Sequence, residues 1–418
     1  MAETTEKKQS FKMVASPVPP EEMYADGVNA TFDLFNDELT GGAGADTLVG
    51  DVLMLDSSQL INLKAIATGS GRVGHQITAF EDTITGGAGD DILIGDAARG
   101  TSGGRQFATQ AFIVQALGFA DHMVSAFNDE LNGDDGDDLL IGDAFRADGG
   151  TQFIVQTDGE GAHSISAFND TLDGGDGDDV LIGDALSLDG NIVASVTASQ
   201  SNQVISAFND ELEGGDGEDV LIGDFVALND IISFDDILAG NVDLDDLSVD
   251  DILGGLYTGG LIGGLTVNLS GLGGNDTLFA DTLDGGAGSD SLWGQLGDDI
   301  LTGGGGADLF FYANADNSSD LGDGNDTITD FSGPGGDGDI VSLDALFDAL
   351  TGFADAEARA DAVEILNAGG VSTLTVEDSS STLVPDFSIT FTDAPLTAGD
   401  FGAFDVADLA ALGIDVGS

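Results

Sequence analysis

The chain has 418 residues, of which 77 are acidic and nine are Lys or Arg, so its formal net charge is -68. This charge excludes binding to a nucleic-acid backbone or to an anionic membrane surface, because both are negative and repel the chain. Yet 41% of the residues are hydrophobic. That fraction is enough for a packed core only if cations neutralise the carboxylates, so the composition predicts a fold that depends on cations.

The N-terminal segment and the absence of cysteine limit the class of protein further. Without Cys the chain forms no disulfide and no Cys-based zinc or iron–sulfur site. Residues 1–30 contain no apolar run long enough for the core of a signal peptide, and we predict a flexible polar leader there. No apolar stretch of about 18 residues occurs, so the sequence predicts no membrane-spanning helix.

Residues 31–229 contain a repeat whose clearest copy is AFNDTLDGGDGDDVLIGDA at 167–185. Asp170 and Asp179 lie nine positions apart in it, and a leucine follows each of them two residues later. The same spacing returns along the chain. The unit is the nonapeptide G-G-x-G-x-D-x-U-x, where U is a large apolar residue, and it is typical of a parallel β-helix.

This nonapeptide predicts an alternation of turns and very short strands. Glycine permits positive φ and close backbone approach in the turn, and the strand directs one side chain inward. Two units form one coil, and successive coils stack as parallel strands around a core of Leu and Ile. Turn carboxylates and glycine carbonyl oxygens then face the next turn, and such an oxygen-rich gap suits calcium.

The turn residues are therefore predicted calcium ligands. Both the Asp that closes each turn and the turn glycines supply oxygen atoms. The predicted ligands are Gly41, Gly44, Asp46, Gly86, Gly89, Asp91, Gly133, Asp138, Gly174, Gly177, Asp179, Gly214, Gly217, Asp219, Asp281, Gly285, Gly288, Asp290, Asp299, Gly303, Asp308 and Asp326.

Long insertions interrupt the nonapeptide rhythm after each I-G-D segment, so that one turn of each coil is opened and extended. Polar and apolar residues alternate in the insertions around Asp-Gly or Gly-Gly. This pattern favours hairpin-like excursions that line up into a sheet flanking the roll. The alternative is one larger solenoid coil of about 40–47 residues with several faces.

A second group of acidic residues brackets each opened turn. One Asp follows the glycine of I-G-D, which is V-G-D at Asp51, and another closes the turn in F-N-D, which is F-E-D at Asp82. Stacked carboxylates need cations or donors between them, so they form either a second, irregular calcium row or caps on backbone N–H groups. These further candidate ligands are Asp51, Asp82, Asp96, Asp129, Asp143, Asp170, Asp184, Asp210 and Asp224.

Two more columns run through the same coils. Five phenylalanines at equivalent positions predict an interior aromatic ladder: Phe35, Phe80, Phe127, Phe168 and Phe208. The three histidines each lie five residues before one of these rings: His75, His122 and His163. We predict a polar ladder at a sheet edge, with two imidazoles sharing a transition metal as the alternative.

The last part of the chain divides into three segments of different composition. Residues 230–270 form a long acidic insert, and residues 271–332 predict a compact β-roll. Helix formers dominate from 344 to 368, and VSTLTVED and DFSITFTD then predict strands. Residues 333–418 thus predict a small mixed α/β cap. The predicted fold class is all-β: a parallel β-roll or β-solenoid with hairpin-like insertions and a C-terminal cap.

Turns such as GGAGDD at 86–91 and GGDGDD at 174–179 resemble those of the RTX (repeats-in-toxin) family with its hemolysin-type calcium-binding repeat. NGDDGDD at 132–138 departs from the pattern, with Asp134 at the second glycine. GADLFFY at 306–312 and NDTITDF at 325–331 are similar to the closing segment of serralysin-like RTX proteins. The resemblance implies calcium as the cofactor, secretion from a Gram-negative bacterium, and an uncleaved C-terminal signal read by type I secretion machinery.

Motifs for catalysis are scarce. The sequence has no H-E-x-x-H, and its one G-x-S-x-G, around Ser102, lacks the strand and helix that a nucleophile elbow needs. We therefore expect a non-enzymatic, secreted calcium-binding protein with a structural or adhesive role at the cell surface or in the matrix. Its partner would be itself or a surface component. The alternatives are a self-assembling S-layer or filament subunit, and a secreted enzyme that uses the insert surface.

Overall fold

The chain winds into a solenoid whose coils stack through parallel strand pairing. The computed structural model describes residues 23–26, 31–34, 36–44, 47–54, 62–68, 76–99, 110–117, 121–146, 149–158, 163–187, 190–198, 204–227, 265–270, 277–313, 324–350, 352–377, 387–392, 396 and 404–417. Five sheets run along this solenoid, and we number them I to V in the order in which each long coil meets them.

The strands of each sheet are as follows. Sheet I contains β2 (Thr31–Leu34), β7 (Gln76–Ala79), β12 (Met123–Ala126), β17 (Ser164–Ala167), β22 (Val204–Ala207) and β27 (Thr277–Leu278). Sheet II contains β3 (Glu38–Ala43), β8 (Thr83–Ala88), β13 (Glu130–Asp135), β18 (Thr171–Asp176), β23 (Glu211–Asp216), β28 (Thr282–Ala287), β30 (Ile300–Thr302), β32 (Asn325–Ile328), β36 (Ser388–Phe391), β35 (Val371–Val376) and β34 (Val363–Ala368). Sheet III contains β4 (Thr47–Val49), β9 (Ile92–Ile94), β14 (Leu139–Ile141), β19 (Val180–Ile182), β24 (Val220–Ile222), β29 (Ser291–Trp293), β31 (Leu309–Phe311), β33 (Ile340–Ser342) and β37 (Ile414–Asp415). Sheet IV contains β5 (Val52–Met54), β10 (Ala97–Arg99), β15 (Ala144–Arg146), β20 (Ala185–Ser187) and β25 (Phe225–Ala227), and sheet V contains β1 (Met23–Asp26), β6 (Asn62–Thr68), β11 (Gln110–Leu117), β16 (Gly149–Asp158), β21 (Gly190–Ala198) and β26 (Leu265–Ser270).

The insertions form sheets IV and V, and their strands pair in parallel with the same strands of the next coil. Phe112 lies beside Phe153 in sheet V, for example, and Ala97 beside Ala144 in sheet IV. The all-β parallel solenoid is therefore confirmed, whereas the expectation of hairpin-like insertions is wrong for the described residues. The larger coil is the structure: equivalent F-N-D aspartates of successive long coils are 45, 47, 41 and 40 residues apart. Each inserted strand lies beside the equivalent strand of the next coil, so parallel pairing satisfies its backbone N–H and C=O groups without a hairpin.

The interior of each long coil is divided into two apolar cores. One core holds the leucines and isoleucines of sheets II and III, such as Leu131 and Leu140, and continues into the C-terminal cap. The other holds the phenylalanines, valines and alanines of sheets I, IV and V. The chain passes from one core to the other at two buried residues in each coil, for instance Asp129 and Asp143, which are 3% and 2% exposed. A layer of buried aspartate carboxylates therefore separates the two apolar cores.

The predicted aromatic ladder is confirmed in the second core. Neighbouring rings of Phe80, Phe127, Phe168 and Phe208 stack with centroids 4.8–4.9 Å apart, and Phe279 extends the ladder at 4.9 Å. Phe35 lies outside the described residues.

These phenylalanines also occupy a left-handed backbone position that favours glycine. The φ of Phe168 is 58°. In the short coil that follows, the equivalent residue is Gly297, where an added Cβ would lie 1.4 Å from the carbonyl oxygen of Phe279. Each Phe thus takes the place of a turn glycine, and burial of its ring offsets the conformational cost of the positive φ.

The coils shorten after β27, and a cap then covers the C-terminal end. Only 18 residues separate Asp281 from its counterpart Asp299 in the next coil. The cap contains α1 (Asp344–Ala349), α2 (Ala356–Ala360) and α3 (Val406–Ala410), together with the strands that end sheets II and III.

The cap corrects one expectation from the sequence. The helical prediction for 344–368 is wrong at its end, where β34 pairs antiparallel with β35 and alternates buried and exposed residues. Strands β35 and β36 lie where VSTLTVED and DFSITFTD predicted them. Of the predicted acidic insert at 230–270, residues 230–264 lie outside the described residues.

Candidate metal centres

The aspartates that close the G-G turns form one continuous row along the solenoid. The N–H of each donates to Oδ1 of the next, at 2.6 Å from Asp91 to Asp138, 2.7 Å from Asp138 to Asp179 and 2.8 Å from Asp179 to Asp219. The row continues through Asp290 and Asp308 at 2.9 and 3.0 Å. We call it the GG row. Its first predicted member, Asp46, lies outside the described residues.

The second carboxylate oxygen of this row faces a glycine at the start of the same turn. A Cβ added to Gly174 would lie 2.4 Å from Oδ2 of Asp179 and 2.6 Å from the carbonyl oxygen of Gly214 in the next coil. Gly86, Gly133, Gly214 and Gly285 have the same surroundings, and at Gly303 the added Cβ would lie 2.3 Å from Oδ2 of Asp308. A carboxylate oxygen and a carbonyl oxygen thus approach one point that only glycine leaves open, which is the donor chemistry calcium prefers.

The third glycine of each G-G-x-G turn has a role in stacking. Backbone N–H groups of this column donate to carbonyl oxygens of the next coil, for example from Gly177 to Asp216 at 2.9 Å. The other predicted members that make this bond are Gly44, Gly89, Gly217 and Gly288. Gly41 lies in β3 at the start of its turn.

The F-N-D aspartates form a second row with the same hydrogen-bond pattern. Donation from N–H to Oδ1 spans 2.6 Å from Asp82 to Asp129 and 2.6 Å from Asp129 to Asp170. It continues through Asp210, Asp281, Asp299 and Asp326 at 2.7–2.9 Å. We call this the FND row. The run Asp281, Asp290, Asp299 and Asp308, which is regular in sequence, therefore alternates between the two rows.

In each opened turn, the I-G-D glycine before the insertion and the FND-row aspartate after it remain in contact. A Cβ added to Gly142 of I-G-D would lie 2.0 Å from Oδ2 of Asp170, which follows it by 28 residues, and 1.8 Å from the carbonyl oxygen of Gly183. The intact short turn has the same pairing, between Gly294 and Asp299. The insertion thus enlarges the coil without separating the residues that close the turn.

The I-G-D aspartates form a third row, which faces the FND row. Their backbones bond from coil to coil, as from Asp143 N–H to the Asp184 carbonyl at 2.8 Å. Three groups have carboxylate oxygens within 4.8 Å of one another: Asp51, Asp82 and Asp96; Asp96, Asp129 and Asp143; Asp143, Asp170 and Asp184. We call this the IGD row. The alternative role as a backbone cap occurs at its end, where Oδ2 of Asp224 accepts the Leu296 N–H at 2.9 Å.

These buried carboxylates are electrostatically unstable as free anions. Burial, reinforced by neighbouring carboxylates, raises the pKa of Asp179 from 3.8 to about 8 and that of Asp138 to about 7. The same causes raise the pKa of Asp129 and Asp184 well above the ordinary value. The sequence from 147 to 358 contains no Lys or Arg that could neutralise them. The rows therefore need bound protons or bound cations.

The two described histidines form a stacked pair. The His122 and His163 rings lie 5.0 Å apart at 10°, and the His122 N–H donates to Nδ1 of His163 at 3.2 Å. Both are buried, and neither belongs to a group of converging metal ligands among the described residues. This geometry agrees with the predicted polar ladder. His75 and Ser102 lie outside the described residues.

Sequence reasoning missed an asparagine ladder beside the phenylalanines. The Asn169 side chain donates to Oδ1 of Asn128 at 3.0 Å, and the Asn209 side chain donates to Oδ1 of Asn169 at 2.7 Å. The Asn that recurs at the same phase in F-N-D at 128, 169 and 209 was the available signal. Such a ladder fixes the register of stacked coils, because each amide both donates and accepts along the column.

Stacked parallel coils with glycine-lined rows of carboxylates define a cation-binding β-solenoid. The sequence matches the family model of the RTX calcium-binding nonapeptide repeat (4 copies) at residues 33–52, 78–101, 123–146, 166–185, 206–225 and 279–310. These six segments are therefore RTX calcium-binding repeats, and the protein binds calcium. A search of curated proteins found no match. No helix in the described part of the chain has the length and apolarity needed to cross a membrane.

Proposed function

We propose that this protein is a secreted, non-enzymatic RTX protein that folds on calcium and serves as a structural or adhesive component outside the cell. The observation that carries the proposal is the set of buried carboxylate rows for which residues 147–358 provide no Lys or Arg. Folding is then conditional on a cation supplied from outside. RTX repeats are typical of secreted bacterial proteins, which meet calcium after export.

The proposed mechanism is calcium-gated stacking. At low calcium, ionised aspartates in adjacent coils repel each other and the chain stays extended, a form that suits export. At high calcium, the carboxylate and carbonyl oxygens of neighbouring turns share cations, and the coils close on their two apolar cores. Binding free energy becomes folding free energy, because the ligands come together only in the folded chain.

Circular dichroism with calcium and with excess EGTA tests this mechanism. We expect the β-sheet signal and a compact elution volume in calcium, and loss of both in EGTA. Magnesium at the same concentration is the control for ionic strength and divalent charge. Equal β content in calcium and in EGTA at neutral pH would overturn the proposal.

The regular outer ladders support the structural or adhesive role. Identical side chains outside the cores align between several coils, as in the bond between Gln115 and Gln156 at 2.8 Å and in the asparagine ladder. Identical groups at a fixed spacing suit weak, multivalent contact with a repetitive surface. Labelled protein should bind to producing cells in calcium and wash off in EGTA. Equal retention in both conditions would contradict the role.

Export by type I machinery is part of the same proposal and rests on the likeness of residues 306–343 to the closing segment of serralysin-like proteins. Leu409, Ile414 and Val416 are at most 1% exposed, so the C-terminal residues pack into the first core once the chain has folded. A signal in this segment can be read only before folding. Deletion of 404–418 should abolish export from a cell that carries the machinery.

Two alternatives make different predictions. A filament subunit would polymerise in calcium, which light scattering detects, although the cap covers one end of the solenoid against coil-on-coil stacking. A secreted enzyme would lose activity on peptide, ester or polysaccharide substrates when His75, His122, His163 or Ser102 is replaced by alanine.

A further inference from the structure

We infer that the opened turns hold an inner row of hard divalent cations, calcium by preference, between the two apolar cores. The inference deepens the proposed function and rests on its calcium-dependent fold, because it assigns sites beyond those of the GG row. The ligands are the three triads of the IGD and FND rows: Asp51, Asp82 and Asp96; Asp96, Asp129 and Asp143; Asp143, Asp170 and Asp184.

Burial and missing donors distinguish these triads from an ordinary acidic cluster. Asp96 and Asp184 are 0% exposed, and no N–H or hydroxyl donor in the described residues reaches either oxygen of these two side chains. Oδ2 of Asp129 and Oδ2 of Asp170 likewise receive no donor. A buried carboxylate oxygen without a donor destabilises the fold unless a proton or a cation satisfies it.

A backbone carbonyl oxygen accompanies the carboxylates. At Gly95, an added Cβ would lie 1.9 Å from Oδ2 of Asp129 and 1.9 Å from the carbonyl oxygen of Gly142. Glycine at this position keeps open the space toward which the two oxygens point. Several carboxylate oxygens with a carbonyl oxygen form the irregular, all-oxygen ligand set that calcium accepts more readily than magnesium.

Charge balance indicates a divalent ion. Each long coil contributes one aspartate to the IGD row and one to the FND row, hence two negative charges per coil. One divalent cation per coil neutralises the pair, whereas one monovalent ion leaves a net charge buried between apolar cores. Asp96 and Asp143 each belong to two triads, so each can bridge successive cations through its two oxygens.

This sharing makes the test quantitative. Bound calcium per folded chain is counted by elemental analysis after equilibrium dialysis at the lowest free calcium that saturates the wild type. Asp143→Asn, which affects two triads, should lose two ions, and Asp51→Asn, which affects one, should lose one. Asp158→Asn, at the exposed end of β16, makes the same charge change and should lose none.

The outcomes separate this inference from the proposed function. If the wild type does not fold on calcium, the proposed function fails. If it folds but Asp143→Asn and Asp51→Asn keep every ion, the inner row carries protons and the inference is overturned while the function stands. If Asp143→Asn does not fold, the calcium count of Asp51→Asn, at a half-buried position, decides whether the inner row binds cations. Wild-type crystals with terbium in place of calcium give an independent answer, since anomalous peaks along the GG row with none at the three triads would overturn the inference.

Discussion

Removal of the buried charge at Asp179 should stabilise the cation-free protein and destabilise the calcium-loaded protein. Burial raises the folded-state pKa of Asp179 from 3.8 to about 8, whereas the unfolded chain releases this proton near 3.8. Between these values the folded state binds more protons than the unfolded state. The stability of the cation-free fold is therefore fully present below about pH 4 and is lost as the pH rises through about 8.

The size of this effect decides whether the cation-free fold survives. A rise in pKa from 3.8 to about 8 corresponds to about 6 kcal/mol at about 1.4 kcal/mol per pH unit. We halve this to about 3 kcal/mol, because the turns lie near the surface, where water and salt screen the charges. Asp138, Asp219, Asp290 and Asp308, with pKa values of about 6 to 7, contribute smaller amounts. Together the GG row costs about 10 kcal/mol at neutral pH, comparable to the total stability of a typical domain of about 5–15 kcal/mol.

The assay is a pH titration of cation-free protein followed by circular dichroism. Cations are removed beforehand on a chelating resin, because EGTA loses its affinity in acid. We expect a folded form at about pH 4 and an unfolding transition below about pH 8. In Asp179→Asn the transition should move to higher pH, since the amide needs no proton, and the melting temperature in calcium should fall, since a charged ligand is lost.

Asp178→Asn is the matched control, because this neighbour in the same turn is exposed. It should move neither transition appreciably. Wild-type protein that keeps its β content from acid to alkaline pH without cations would refute the reasoning. A shift of the same sign in both conditions for Asp179→Asn would refute it as well.

Three further changes test the packing. Gly183→Ala should cost more than about 4 kcal/mol in chemical denaturation, because the new Cβ would lie 1.8 Å from a carbonyl oxygen, whereas Gly335→Ala, with nothing within 4 Å, should stay within about 0.5 kcal/mol. Phe168→Ala should lower the free energy of unfolding by about 3–5 kcal/mol, and Phe168→Gly by about 1 kcal/mol less, because its φ of 58° favours glycine; the opposite order would contradict the assigned backbone. Arg359→Gln removes the ion pairs to Asp344 and Asp348 and should lower the stability of the cap by about 1–3 kcal/mol. The rate of amide hydrogen exchange should rise in the cap and stay unchanged in sheet V.

The sequence by itself determined the periodic features of this protein. Aspartates nine residues apart, each with an apolar residue two positions later, predicted parallel coils with turn oxygens facing one another. The spacing of Phe127, Phe168 and Phe208 predicted their stacking, because residues at the same phase of a repeat must align when coils pair in register. A net charge of -68 with no Lys or Arg between 147 and 358 required cations, whatever the fold.

Only the tertiary structure decided which residues of different coils meet. Alternating insert residues are compatible with a hairpin or with a parallel strand, and pairing with the next coil selected the strand. Asp290 and Asp299 follow one another at the same spacing but lie in different rows, because successive turns occupy opposite ends of the strands in sheets II and III. The carboxylates of Asp96, Asp129 and Asp143 converge only because the two apolar cores pack on either side of them, a contact between coils that no spacing along one chain segment specifies.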